Sequence, residues 1–199
     1  MSCYHKFIYD LQLEYVDWEV STLFVGTFNP GWASCTNNNS EWFYGRTARN
    51  SFWNSLSLLH EGYKIESGKS EWLDFCRRNE LAVTDILACI DNADENNPIH
   101  QTKICKFKDD DLAQFDVTIN NIPQILNEHP KIRQVCITRQ TLTEFWEDIF
   151  QDLLTYIDAH NNISLIKLRS PSRGAISGVE GDHSLFVANR WIQQGYQLF

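Results

Sequence analysis

The sequence holds no C-x-x-C pair and no two histidines at helical spacing, which excludes the usual frameworks for zinc and iron–sulfur centres. No G-x-S-x-G stretch occurs, so the sharp turn that presents an α/β-hydrolase serine is missing. A hydrolase built on Asp85 or Ser172 with His183 therefore ranks low. No apolar run approaches the ~20 residues of a membrane span, and residues 1–10 show no basic segment followed by an apolar one. These features give the expectation of a cytoplasmic chain with no membrane partner, no metal and no cofactor. Positive charge is also scarce: 17 Lys and Arg stand against 26 Asp and Glu, for a net charge of −9. That balance excludes a broad phosphate-binding face, because non-specific nucleic-acid affinity comes mainly from Lys and Arg.

What the sequence does contain is material for a core. Hydrophobic residues make up 43% and aromatic residues 13% of the chain, enough to offset the entropy of ordering a backbone. The length of 199 residues suits one domain spanning 1–199, expected to be a monomer. Cys3, Cys35, Cys76, Cys89, Cys105 and Cys136 are scattered, mostly among apolar neighbours, and read as reduced core residues.

Thr22 to Phe28 is a β-branched and aromatic run ended by Asn29-Pro-Gly31, the pattern of a buried strand followed by a tight loop. Ile132 to Thr138 and Ile163 to Leu168 repeat the pattern, and Leu81 to Leu87 repeats it more weakly. Phe52, Leu56 and Leu59 fall at helical spacing, and Trp72, Phe75 and Cys76 mark a second short helix. A longer helix is predicted from about Leu142 to Ile157, with Thr141-x-x-Glu144 as its capping box. A last helix starts near Asp182, with Gly195 placed to end it. Buried strands alternating with helices predict an α/β fold, a three-layer αβα arrangement around a mainly parallel four-stranded sheet.

Ligands of such sheets bind beyond the carboxyl ends of the strands, where the connecting loops converge. Arg46, Arg49, Arg139, Lys167, Arg169 and Arg173 fall at or beside that rim, while Asp109-Asp-Asp111 and Glu144 to Asp148 read as acidic patches elsewhere. A cationic rim on an acidic body and ordinary solvated charge remain equal alternatives.

Three elements at that rim carry chemistry. Val25-Gly-Thr-Phe-Asn-Pro-Gly31 leaves a polar side chain at the mouth of the sheet, though an Asn-Pro turn alone would account for it. In Trp42-Phe-Tyr-Gly-Arg-Thr-Ala-Arg-Asn-Ser-Phe-Trp53 aromatic and basic residues interleave, a composition suited to stacking a nucleobase and holding phosphates. Phe52 and Trp53 read as core, leaving Phe43, Tyr44 and Asn50 as pocket candidates. Leu168-Arg-Ser-Pro-Ser-Arg-Gly174 offers small hydroxyl residues and a rigid proline for close approach to a phosphate, or a plain turn.

In order and spacing these elements resemble the uracil-DNA glycosylase superfamily, in particular the mismatch-specific uracil/thymine and the deoxyinosine (hypoxanthine) glycosylases. The likeness covers most of the chain. Gly26-Thr-Phe-Asn-Pro-Gly31 is similar to the G-I-N-P-G segment with one residue inserted, which implies that Asn29 positions the attacking water and that Gly26, Thr27 and Phe28 line the base pocket. Arg46-Thr-Ala-Arg-Asn-Ser-Phe-Trp53 resembles A-H-P-[GR]-N-x-F-W, with Thr47 and Ala48 in place of His and Pro. By the deoxyinosine branch it makes Asn50 a rival catalytic residue, and Phe43 or Tyr44 the stacking aromatic. Val83-Thr-Asp-Ile86 is similar to T-D-[IL], so Asp85 either lines the pocket or caps a turn. Ser170-Pro-Ser172 looks like the backbone-pinching N-P-S or S-P-S motif, with Arg173-Gly-Ala175 where a leucine wedge would stand. The resemblance implies a DNA glycosylase that excises a damaged or mispaired base, with Arg46, Arg49, Ser170, Pro171, Ser172 and Arg173 on the DNA. The alternative is a catalytically weak or inactive module that binds nucleotides or nucleic acid on the same fold.

Overall fold

A computed structural model describes residues 2–199. In chain order the elements are β1 (Cys3–Tyr4), β2 (Thr22–Gly26), α1 (Phe52–Glu61), α2 (Lys69–Arg78), β3 (Leu81–Asp85), β4 (Leu87–Ile90), α3 (Pro98–Cys105), β5 (Val117–Ile119), α4 (Ile122–Glu128), β6 (Gln134–Ile137), α5 (Glu144–Asp158), β7 (Ser164–Lys167) and α6 (His183–Gln193). Short 3-10 helices lie at Ile8–Asp10 and Asp109–Gln114.

Four strands form an all-parallel sheet in the order β3-β2-β6-β7. Every residue of β2, β3 and β6 is buried, as strands covered on both faces require. Period-two alternation still sorts them. Leu23, Val25, Val135 and Ile137 join the apolar cluster containing Ile122, Ile125, Trp146 and Phe150 of α4 and α5. Phe24, Val83 and Cys136 join the opposite cluster, with Phe52 and Trp53 of α1, Trp72 and Phe75 of α2, and Trp191 of α6. The result is helices on both faces of a central sheet. Each fully buried Phe at 24, 52 and 75 is stabilising by about 1.5–3 kcal/mol relative to exposure.

Three local expectations are corrected. Helix α5 begins at Glu144 behind Thr143, with no side-chain capping bond, so the Thr141 box does not form. Its start is set instead by the stripe Trp146, Ile149, Phe150, Leu153 and Ile157 packing on the sheet. A second, three-stranded antiparallel sheet, β1-β4-β5, continues from the end of β3 and was not expected from alternation in strands this short. Finally, Cys35 and Cys105 form a disulfide, while Cys3, Cys76, Cys89 and Cys136 are buried free thiols. The bonded pair lies 70 residues apart in sequence, a separation with no local spacing to betray it. Helix α6 follows expectation: Asp182 Oδ1 accepts from the N–H groups of Ser184 and Leu185, and Gly195, at φ +100°, follows its last turn. Among the described residues no helix is long and apolar enough to cross a membrane.

Candidate functional site

Parallel pairing aligns the carboxyl ends of β2, β3, β6 and β7 along one edge, with Gly26 in register with Asp85 and Ile137 in register with both Val25 and Lys167. The loops leaving that edge enclose a cavity of about 160 Å³. Thr27, Phe28 and Asn29 after β2, Asp85 at the end of β3, Thr138 after β6, and Ser170 and Ser172 after β7 all line it. Tyr44, Arg46, Arg49 and Asn50, together with Phe107 and Asp109 between α3 and β5, complete the lining.

The floor is made by Asp85 and what holds it. His5 is buried, its Nδ1 accepts the Phe7 N–H at 3.0 Å, and its Nε2 lies 2.7 Å from Asp85 Oδ2. With Nδ1 acting as acceptor, Nε2 carries the proton and donates it to the carboxylate, which fixes the neutral tautomer. Asp85 Oδ1 has no hydrogen-bond partner among the described residues and rests over Gly26. A Cβ on Gly26 would meet that oxygen and would lie 2.5 Å from the Tyr44 hydroxyl, so only glycine lets β2 pass beneath the pair. Gly26 thus supports the floor and does not line the cavity. Tyr44 stands at φ +54°, stacks on Phe52 at 3.9 Å, and is 2.7 Å from the Thr138 hydroxyl. Burial, and then the Asp85 charge, push its hydroxyl well above the ordinary tyrosine value, so it stays protonated.

Both candidate asparagines face the cavity with their carbonyl oxygens already engaged. Asn29 Oδ1 accepts from Asn38 Nδ2 at 2.6 Å, and Asn38 is oriented in turn by the Ser40 hydroxyl, which donates to Asn38 Oδ1. Asn50 Oδ1 accepts the Phe52 N–H at 2.9 Å at the start of α1. Each therefore offers its amide NH₂ as a donor. The backbone N–H groups of Thr27, Phe28 and Asn29 donate to no protein acceptor among the described residues, which adds hydrogen-bonding capacity beside them.

The wall formed by residues 105–110 was not anticipated. The disulfide from Cys105 to Cys35 ties it to the loop after β2, and the Arg46 guanidinium lies 3.9 Å from the ring centre of Phe107, itself at φ +55°. Thr27 Oγ1 donates to Asp109 Oδ2 at 3.0 Å, and Arg139 Nη1 reaches the same oxygen at 3.5 Å. Burial in the cleft, only partly offset by Thr27 and Arg139, pushes the Asp109 carboxyl up to about 6. The Asp109-Asp-Asp111 triplet read as an acidic patch away from the rim is therefore at the rim, and its first member is inside the site.

This wall also changes the cationic mouth. Arg139 is held by Asp109 and Asp110 and lies 5.1 Å from the Trp146 ring centre, and Arg169 donates to the Ala175 carbonyl at 2.6 Å. Arg46, Arg49, Arg173 and Lys106 have no carboxylate partner among the described residues. Arg49 borders the main cavity and two adjoining grooves, one reaching Lys106 and the other Arg173 and the buried Pro171. The loops carrying Asn50 and Ser172 are zipped together: the two residues form a β-bridge, the Arg173 N–H donates to the Arg49 carbonyl at 2.8 Å, and the Ser51 N–H donates to the Pro171 carbonyl at 3.0 Å. Phe43 is a correction. It is fully buried, stacks on His5 with ring centres 5.5 Å apart, and lies behind the site rather than in it.

No family model, curated protein or solved structure matches the chain. No group of three or more His, Cys, Asp or Glu side chains that could hold a metal occurs among the described residues. Of the residues that sequence reasoning missed, His5 lies 80 positions from its partner Asp85 and carried no local pattern. Phe107 and Asp109 sit in Lys106-Phe-Lys-Asp109, where an aromatic interleaved with basic residues repeats the composition that drew attention to 42–53.

Proposed function

We propose that the chain is a DNA glycosylase-like hydrolase of the uracil-DNA glycosylase type, releasing a flipped damaged or mispaired base such as uracil, hypoxanthine or mismatched thymine. The observation that carries this reading is the convergence of Asn29, Asn50, Asp85 and Ser172, from four separate segments, on one cavity of about 160 Å³ at the carboxyl edge of the sheet. The size suits one heterocyclic base, and the exposed Arg49 and Arg173 flank the opening, where phosphates of a strand would run.

A flipped nucleotide costs a few kcal/mol of stacking and pairing, least for a mispaired or damaged base, so selection begins before the pocket is entered. Within it, Asp85 Oδ1 accepts a ring N–H, while the Asn29 and Asn50 NH₂ groups and the free backbone N–H groups donate to base oxygens and to the water. As the glycosidic bond lengthens, negative charge grows on the base, and fixed donors stabilise that charge without reorganising. The two amide NH₂ groups hold the water through its oxygen.

The test is a panel of duplex and single-stranded oligonucleotides bearing uracil, hypoxanthine or a G·T mismatch, with abasic-site cleavage as readout. Release of at least one base is expected, and Asn29→Ala or Asn50→Ala should slow it about 10²-fold or more while binding changes little. Full activity in both variants would remove them from the chemistry. Tight binding without release would establish the non-cleaving module instead.

A further inference from the structure

We infer that Asp109 is the general base of this site, the group that takes a proton from the attacking water. The inference rests on the glycosylase reading and adds to it the component that two asparagines cannot supply. The amide NH₂ of either asparagine can hold a water by its oxygen, but an amide is too weak a base to take the departing proton. The acceptor must come from elsewhere in the cavity, and two carboxylates line it.

They are not equivalent. Asp85 lies at the floor, its side chain 8% exposed, over Gly26 and beside the Tyr44 hydroxyl, a depth suited to the edge of a base and not to the sugar. Asp109 lines the same cavity and keeps 31% of its side chain exposed. Both groups that steady it, Thr27 and Arg139, engage Oδ2, leaving Oδ1 without a hydrogen bond among the described residues. Thr27 is only two positions before Asn29, so one short stretch after β2 orients both the donor that holds the water and the acceptor that deprotonates it.

The step balances as follows. The C1′–N bond breaks with its electron pair passing to the base, and a bond forms between the water oxygen and C1′. One water proton moves to Asp109 Oδ1 and then to solvent, and the base anion takes a proton from solvent, giving free base and an abasic sugar hydroxyl. Asp109 is faced by Arg139 from the turn after β6, by Asp85 from the end of β3, by the Tyr44 hydroxyl, and by Asp110 on its own segment. Of these, Arg139 favours the carboxylate and Asp85 and Asp110 favour the acid; with burial they bring the carboxyl up to about 6. The ionised form is the working one, so base release should rise with pH through about 6 and level off above it.

The experiment measures single-turnover base release from pH 4.5 to 8.5 for wild type, Asp109→Asn and Asp109→Glu, with folding followed by circular dichroism and affinity by titration of labelled oligonucleotide. Asp109→Asn should bind within about threefold of wild type, lose about 10²–10⁴-fold in rate and lose the inflection near pH 6. Asp109→Glu, which keeps the carboxylate, should recover part of the rate and show an inflection of its own. Folded Asn and Glu variants that fail alike would overturn the inference, as would an Asn variant with wild-type rate and pH profile. In that last case release that still depends on Asn29 leaves the glycosylase reading standing, whereas no release by the wild-type protein overturns both.

Discussion

Gly26 shows how one residue governs the site without touching a ligand. The space above its Cα belongs to Asp85 Oδ1 and the Tyr44 hydroxyl. Gly26→Ala is expected to push Asp85 off its His5 contact and to cost about 1–3 kcal/mol of stability, the range for overpacking a tight site, with a larger proportional loss in base release. Chemical denaturation beside an activity assay checks this, and an alanine variant with unchanged activity would mean the floor carries no function. At the same scale, the asparagine resemblance located residues but not their hydrogen-bonding sense. Because Asn38 and the Phe52 N–H each bond one amide oxygen, the NH₂ groups of both side chains are left as donors.

Among the elements, segment 105–110 is held by contacts from distant parts of the chain. It lies between the end of α3 and a 3-10 turn, holds Phe107 at positive φ, and is fastened by the Cys35 disulfide, the Arg46 guanidinium and the Thr27 hydroxyl. Reduction of the disulfide should raise amide hydrogen exchange across 105–112 and slow base release, with a global destabilisation of about 2–4 kcal/mol. Equal exchange with and without reductant would show that packing alone fixes the wall. Elsewhere the elements reflect ordinary tertiary selection: α5 starts where Trp146 can reach the sheet, not where Thr141 could cap it.

For the whole molecule the deciding quantity is charge. With 26 acidic residues against 17 Lys and Arg, and with Arg139 matched by Asp109 and Asp110, the cations that border the cavity and its adjoining grooves without a carboxylate partner are Arg46, Arg49, Arg173 and Lys106. Counterion release by three or four such contacts gives a slope of about −3 to −4 in a plot of log affinity against log salt for duplex DNA. Arg49→Ala, at the junction of the three adjoining cavities, should lower that slope by about one unit. A slope near zero would mean that phosphates do not hold the ligand and that a free base or nucleoside is the better candidate.

The amino-acid sequence by itself determined the parallel sheet, the helices on both its faces and the edge where the loops converge, because continuous β-branched runs mark buried strands and apolar stripes at a period of about 3.6 residues mark helices. It also placed Asn29, Asn50, Asp85 and Ser172 on loops of that edge. Tertiary structure alone decided that His5 would anchor Asp85 across 80 positions, that Cys35 would find Cys105, and that Asp109 would enter the cavity and draw Arg139 inward. Phe43 went the other way, into the core behind His5. These pairings depend on where distant segments meet after the sheet has formed, and neighbours in sequence hold no record of that meeting.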